Sequence, residues 1–174
     1  RAASPMASRP SALSDREIAR MTARQLMKER PMVLPHTARL RDAARLILEH
    51  RFRNVPVVDE SGRYLGVVSA NRLLQMVLPK AAFMERSGID SLPFVKDTLA
   101  DFRERWREVA STPVLECLDT DLETVTPETS IAETLLSLYH NRTSLPVVDA
   151  TTMRLVGIVS HWSAGAAMVG EGSP

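Results

Sequence analysis

Two similar stretches constrain the fold of this 174-residue chain more than any other feature of its sequence. Residues 55–69 read VPVVDESGRYLGVVS, and residues 145–160 read LPVVDATTMRLVGIVS. Each is an apolar run, a polar turn and a second apolar run that ends in Ser, which predicts a β-hairpin with largely buried strands. Because the pattern occurs twice, the sequence predicts an internal duplication in which each hairpin belongs to one structural unit.

The residues around the two hairpins follow the same order in both halves. The order is helix, strand, helix, strand, strand, helix, and the first helix begins at a capping-box sequence, Thr22 to Gln25. The sequence therefore divides into a flexible tail or expression remnant, a first unit, a helical linker, a second unit and a C-terminal tail, at residues 1–21, 22–80, 81–111, 112–169 and 170–174. A unit of about 60 residues buries too little surface to be stable alone, so we expect the two units to share a core.

Helical periodicity gives two more specific expectations. Asp97 is predicted to be the N-cap of the linker helix, which carries Leu99, Phe102 and Trp106 on one face. The helix before the second hairpin is predicted to bury a stripe made of Ile131, Leu135, Leu138 and Tyr139.

Composition excludes several classes of function. The chain is 44% hydrophobic and 25% charged, with a net charge of +1, so nothing favours binding to nucleic acid or to an anionic membrane. No apolar run approaches the ~20 residues that span a bilayer. The four His are scattered without metal-ligand spacing, and no nucleophile–base pair accompanies them, so an enzyme is not expected. The single Cys fits a reducing compartment, and we expect a cytoplasmic location.

The duplicated pattern resembles a tandem cystathionine-β-synthase (CBS) domain pair, also called a Bateman module. The resemblance rests on the Pro-ended first strand, the amphipathic helix, the Pro-Val-Val-Asp strand and the Gly-x-x-Ser stretch before the last helix, all present twice. It implies a mixed α/β (α+β) fold of two tandem β-α-β-β-α repeats related by a pseudo-two-fold axis. It also implies a regulatory module, and its usual ligands are AMP, ADP, ATP or S-adenosylmethionine, bound in the cleft between the repeats.

The resemblance implies a set of ligand-binding residues in both repeats. Ser69 and Ser160 stand where the family's hydroxyl meets the phosphate, at a helix N-terminus that favours anions. Each Ser could instead simply cap its helix. Candidates for the apolar slot around the base, together with the neighbouring prolines of the strands, are Val33, Val55, Pro56, Val125, Leu145 and Pro146.

The sequence departs from the family at the Asp that grips the ribose. Arg72 occupies that position in the first repeat and Ser163 in the second, so neither repeat has the charged acceptor. Arg72 could pair with a phosphate or be only a surface charge, and Ser163 could accept one hydrogen bond. Phosphate contacts should therefore dominate over ribose contacts.

Two functions from different classes follow. The first is a sensing module that binds an adenosine nucleotide and signals to a partner or fused domain, whose identity the sequence does not give. The second is a structural dimerisation module with empty clefts. A homodimer is expected in either case, because the closing helices are predicted to expose Leu73, Val77, Trp162 and Met168. Trp162 could serve packing, a dimer contact or a stacking lid over a base.

Overall fold

The structure is a computed structural model that describes residues 20–84 and 96–170. The expected N-terminal tail lies almost wholly outside these ranges, as does part of the linker. Within these ranges, no helix has the length and apolar character needed to cross a membrane.

The described elements follow the predicted order with two differences. An additional two-residue strand, Lys28–Glu29, follows the first helix, and the strand expected near Val125 in the second half is only a single bridge to Val147. The first half contains α1 (Ala23–Leu26), β1 (Lys28–Glu29), β2 (Leu34–Pro35), α2 (Leu40–His50), β3 (Asn54–Val58), β4 (Tyr64–Ser69), α3 (Ala70–Val77) and α4 (Ala81–Met84). The second half contains α5 (Leu99–Val109), a 3-10 helix (Val114–Cys117), α6 (Ile131–Asn141), β5 (Leu145–Val148), β6 (Leu155–Val159) and α7 (His161–Val169).

The two hairpins have the same register, which confirms the duplication. In one sheet, of order β2-β3-β4, Val57 lies opposite Gly66; in the other, of order β1-β6-β5, Val147 lies opposite Gly157. Both pairs are followed by the same irregularity, one residue further along the first strand. The fold is therefore mixed α and β, as the sequence predicts, with two three-stranded sheets built on equivalent hairpins. The third strand differs, because β2 is parallel to β3 and β1 is antiparallel to β6.

The first segment of each half packs against the sheet of the other half. Strand β1 pairs with β6, and α1 buries Ala23 and Leu26 in the core formed by β5, β6 and α6. Reciprocally, the 3-10 helix buries Val114 and Cys117 in the core formed by β2, β3 and α2. The exchange is reciprocal, as a two-fold relation between the units implies. It ties the two cores together, because neither is complete without a segment from the other half.

Each of the two crossing segments, residues 27–28 and 118–120, passes directly over the glycine of one hairpin. A Cβ atom on Gly66 would lie 3.0 Å from the Asp119 carbonyl oxygen, and one on Gly157 would lie 2.8 Å from Met27 Sδ. Gly66 also has a φ of +148°, which side chains rarely adopt. The repeated Gly of the motif is thus explained by the close approach of the exchanged backbone.

The Asp that ends each Pro-Val-Val-Asp sequence stabilises the hairpin turn. Asp59 Oδ1 accepts hydrogen bonds from the Ser61 hydroxyl at 2.7 Å and the Arg63 amide at 2.9 Å. Asp149 Oδ1 accepts from the Thr152 amide at 2.7 Å and from its hydroxyl at 2.8 Å. These bonds, led by the Ser61 hydroxyl in one turn and the Thr152 amide in the other, lower the pKa of both carboxyl groups.

Protonation of the two turn carboxylates is expected to destabilise the fold in acid. Because their pKa values are lower in the folded than in the unfolded chain, their contribution is present above the unfolded pKa of about 4 and is lost as pH falls through the folded values. Urea unfolding should therefore show a progressive loss of stability as pH falls below about 5, through the lowered pKa values of the folded state. The double variant Asp59→Asn/Asp149→Asn should show a shallower loss than Glu60→Gln, a matched change in the same turn. Equal pH profiles for the two variants would contradict this assignment.

Two helix predictions are wrong in detail. Thr98, not Asp97, is the N-cap of α5: its hydroxyl accepts a hydrogen bond from the Asp101 amide, and Asp97 instead forms an ion pair with Arg105. Tyr139 is exposed, although the periodicity placed it in the buried stripe of α6. That helix turns a more polar face inward, and the residues buried there are Thr134, Ser137 and Leu138. The Thr134 hydroxyl is satisfied by the Ser130 carbonyl at 2.8 Å, which makes its burial tolerable.

Candidate functional site

A cleft of about 370 Å³ lies between the two units. One wall comes from the start of β3, from β4 and from the first turn of α3, and the other from the second half of the chain. Its lining residues are Arg53, Asn54, Val67, Ser69, Ala70, Asn71, Asp119, Leu122, Arg142 and Thr143.

The connectors between helix and strand bring cations into the cleft from both units. Arg51 is the C-cap of α2 and Arg142 the C-cap of α6, each in the left-handed conformation that turns the chain out of the helix. The residues after these two C-caps lead into β3 and β5, and the two connectors lie next to each other. The Arg53 guanidinium donates to the Arg142 carbonyl at 3.4 Å, and the Asn54 amide group donates to the Ser144 carbonyl at 3.1 Å. The two connectors are thereby joined across the interface.

Ser69 lines the cleft at the point where β4 ends and α3 begins. Its hydroxyl oxygen accepts a hydrogen bond from the Arg72 amide at 3.0 Å, so the capping interpretation of Ser69 is confirmed. This bond uses an oxygen lone pair, and the hydroxyl proton can still be donated to a ligand. A capping Ser beside Asn71 at a helix N-terminus suits an anionic oxygen.

The charges around the cleft favour an anionic ligand that also carries hydrogen-bond donors. Arg53 and Arg142 are cations that approach from opposite units, and Asp119 places one carboxylate in the same lining. Next to the lining, burial, followed by the nearby Asp119 charge, raises the pKa of Tyr64 to about 12. The Tyr64 hydroxyl is buried without a hydrogen-bond partner among the described residues.

Ser69 is the member of the predicted ligand-binding set that lines this cleft. The proposed apolar slot is closed in this conformation: five of its six side chains are buried in the cores, namely Val55, Pro56, Val125, Leu145 and Pro146. Val33 is 37% exposed but is not part of the cleft lining. Their roles in ligand binding stay predictions.

Arg72 is engaged with protein groups outside the cleft lining. One guanidinium nitrogen donates to Gln75 Oε1 at 2.6 Å and the other to the Leu118 carbonyl at 3.2 Å. It is thus neither a free surface charge nor a side chain directed at a phosphate in this structure. Instead, it connects α3 to the segment that crosses from the second half.

The serines of the second repeat satisfy one another. The Ser160 amide donates to Ser163 Oγ at 3.0 Å, and the Ser163 amide donates to Ser160 Oγ at 3.1 Å, which is a capping box. The capping interpretation therefore holds for Ser160 as well. Trp162 is 83% exposed, so packing within the described part of the chain is not its role.

Sequence reasoning missed most of the cleft residues. Arg142 had a visible signal, because Arg51 and Arg142 both stand at the end of the helix before a Pro-Val-Val-Asp strand. Asp119 had none, since the exchange of segments between units cannot be read from a repeat pattern. Asn54, Asn71 and Thr143 are ordinary connector residues whose position follows only from the packing of the two units.

Comparison with known proteins is consistent with this architecture. The CBS domain family model matches residues 23–79 and 106–164, more than half of the chain. The chloroplastic CBS domain-containing protein CBSX2 of Arabidopsis thaliana is 40% identical over 53 residues, which are 30% of this chain and 22% of that protein. The chain thus matches less than a quarter of the length of that curated relative.

Solved structures share the fold over most of the chain. CBSX2 of Arabidopsis thaliana superimposes with a TM-score of 0.67 at 21% identity, covering 86% of this chain and 95% of that one. A complex of CBSX2 with AMP has a TM-score of 0.63 at 21% identity, covering 86% and 97%. AcuB of Vibrio cholerae has a TM-score of 0.64 at 24% identity, covering 86% and 91%. CbpB in complex with c-di-AMP has a TM-score of 0.64 at 15% identity, covering 89% of each.

The tandem family match, the duplicated hairpins and the reciprocal exchange of segments lead to one conclusion. The chain belongs to the CBS domain family, and its two repeats form a CBS pair.

Proposed function

We propose that this chain is a regulatory module that binds an adenosine nucleotide in the cleft between its repeats and signals to a partner or a fused domain. The observation that carries the proposal is the approach of Arg53 and Arg142, from different repeats, to one cleft that also contains Ser69. An anion held there would contact both repeats at once. Its binding would therefore alter the free energy of their packing, which is what a regulatory module needs.

The dimensions and chemistry of the cleft support a nucleotide. About 370 Å³ lies within the range of small-ligand sites, and the lining combines cations, amides and hydroxyls with the aliphatic Val67 and Leu122. Solved relatives with the same fold bind AMP in CBSX2 and c-di-AMP in CbpB. We include AMP, ADP, ATP and S-adenosylmethionine as candidates, with the phosphate esters preferred because the arginines favour an anion.

Titration calorimetry and thermal shift against AMP, ADP, ATP, S-adenosylmethionine and adenosine test the proposal. We expect AMP to bind at least tenfold more tightly than adenosine, since charge-assisted hydrogen bonds to phosphate contribute about 1.5–3 kcal/mol each. The affinity for AMP should also fall as salt is added, because the cleft is open to solvent and its charges are screened. No binding of any of these compounds at millimolar concentration would overturn the proposal.

A structural dimerisation module is the second candidate, and one surface favours it. Helix α7 exposes Trp162, Met168 and Val169, each at 70% or more. The expected exposure of Leu73 and Val77 is only partial, because linker helix α5 packs on α3. Apolar side chains clustered on one uncovered helix suggest a protein contact.

We therefore predict a homodimer formed through α7. Light scattering at micromolar concentration should give about twice the 19.3 kDa of one chain. Trp162→Arg should shift the mass toward the monomer, because the charge would have to be buried in an apolar contact. Leu48→Arg, a matched change on the exposed face of α2, should leave the mass unchanged. A single-chain mass for the unmodified protein would contradict the prediction.

A further inference from the structure

Asp119 enters the cleft on the segment that crosses from the second half. Its amide donates to the Val67 carbonyl at 2.8 Å, and its carbonyl accepts from the Val67 amide at 3.1 Å. Both backbone polar groups are thus used by strand β4. The carboxylate of Asp119 accepts one hydrogen bond, from the Asp121 amide to Oδ1 at 3.2 Å, and keeps further acceptor capacity for a ligand in the cleft that the residue lines. No ion pair among the described residues involves Asp119, although Arg53 and Arg142 belong to the same lining.

Arg72 fixes the position of this segment from the other side. Its guanidinium donates to the carbonyl of Leu118, the residue before Asp119, while Gln75 orients the same guanidinium from one turn along α3. The crossing segment is therefore bonded to the first repeat at two consecutive residues. An acceptor held this rigidly loses little side-chain and backbone freedom when a ligand binds.

We propose that Asp119 recognises the ribose diol of the nucleotide in this cleft and that Arg72 acts as its positioning residue. A carboxylate can accept hydrogen bonds from both hydroxyls of a vicinal diol, as acidic residues do for ribose in dinucleotide-binding folds. Arg53 and Arg142 can then bind the phosphate, so that the phosphate contacts cations and the ribose contacts a carboxylate. This assignment rests on the proposed function and adds to it a preference for ribonucleotides over deoxyribonucleotides.

The other half of the molecule lacks the same group. Lys28 pairs with Ile158 on β6, as Asp119 bridges to Val67 on β4. The crossing segment that follows α1 thus carries a cation where the one in the described cleft carries a carboxylate. Ribose-dependent binding should therefore have a stoichiometry of one per chain.

The test compares the affinities of AMP, 2′-deoxy-AMP and 3′-deoxy-AMP by calorimetry. In the unmodified protein each deoxynucleotide should bind about tenfold more weakly than AMP, the effect of one lost charge-assisted hydrogen bond. Asp119→Ala removes both bonds to the diol, so it should weaken AMP about a hundredfold and each deoxynucleotide about tenfold, and the selectivity falls to about one. Asp121→Ala, an exposed change in the same segment, should retain the tenfold selectivity.

Arg72→Gln tests the positioning role through the same ratio. Loss of the bond to Leu118 should reduce the selectivity for AMP severalfold, whereas Gln75→Ala, which leaves that bond possible, should reduce it less. A merely structural defect would weaken all three ligands alike, and thermal unfolding of each variant checks that it folds. If the unmodified protein binds no AMP, the proposed function and this assignment fall together. If it binds AMP but does not discriminate against the deoxynucleotides, or if Asp119→Ala keeps the discrimination, this assignment alone is overturned.

Discussion

Gly66→Ala is expected to lower the free energy of unfolding by on the order of 3 kcal/mol, which is roughly 6–12 °C in Tm for a chain of this size. Two effects add at this position. The backbone is held at a φ of +148°, which an L side chain adopts only with strain. The new Cβ would also lie 3.0 Å from the carbonyl oxygen of Asp119 and 3.4 Å from Cβ of Leu118, and the backbone atom cannot rotate away. Urea and thermal unfolding measure the loss.

Two other glycines supply the controls for this experiment. Gly157→Ala should cost less, because Gly157 is not at a positive φ and its nearest contact, Met27 Sδ at 2.8 Å, is in a flexible side chain, although the Lys28 carbonyl oxygen would also lie at 3.1 Å. Gly165→Ala should stabilise by about 0.5–1 kcal/mol, since it lies in the middle of α7 with nothing within 4 Å of the new Cβ. If Gly66→Ala proves as benign as Gly165→Ala, close packing of the crossing segment on β4 is not a source of stability.

The hairpins and their repetition could be predicted because buried strands have recognisable apolar sequences. The first strand of each hairpin is buried on both faces and the second is partly buried, so both read as apolar runs, and the turn between them needs polar residues. The Asp of the motif was recognised as part of the repeat, but its physical reason, the turn hydrogen bonds of Asp59 and Asp149, required coordinates. Helix positions followed from the same periodicity to within one or two residues.

The exchange of segments could not be predicted, because a repeat in sequence does not say against which copy each element packs. Helix α1 has two buried residues, Ala23 and Leu26, and either sheet offers an apolar face. The stripe of α6 shows a related limit. Leu135 and Tyr139 are compatible with burial by spacing alone, whereas the burial of Thr134 depends on a backbone carbonyl that satisfies its hydroxyl. The periodicity of apolar residues does not show which polar side chains can be buried with a satisfied hydrogen bond.

For the same reason, only part of the candidate site could be predicted. Ser69 could be named because it follows a strand and opens a helix within one repeat. The rest of the cleft combines two connectors and the crossing segment, which are far apart in sequence. Arg72 shows how a family position can mislead: its location was right, but its side chain contacts the Leu118 carbonyl and not the cleft. The position of a residue in a motif predicts where its backbone lies more reliably than which group its side chain contacts.

The double variant Arg53→Gln/Arg142→Gln is expected to weaken AMP binding by on the order of 3 kcal/mol, about 150-fold in Kd. Each arginine should contribute a charge-assisted hydrogen bond to the phosphate, and glutamine keeps a neutral donor of similar shape. Adenosine has no phosphate, so its weaker affinity should change little. Calorimetry with both ligands therefore separates a lost phosphate contact from a general change in the cleft.

The control must remove the same amount of charge without touching the cleft. Arg41→Gln/Arg51→Gln does so, since both side chains are exposed on or just after α2 and neither lines the cleft. It should reduce AMP affinity only slightly, because an exposed charge that does not touch the ligand is screened by solvent and salt. The salt dependence of AMP binding should also become shallower in the cleft variant and not in the control. Equal losses in the two double variants would mean that the net charge of the protein, and not a phosphate site built from both repeats, governs binding.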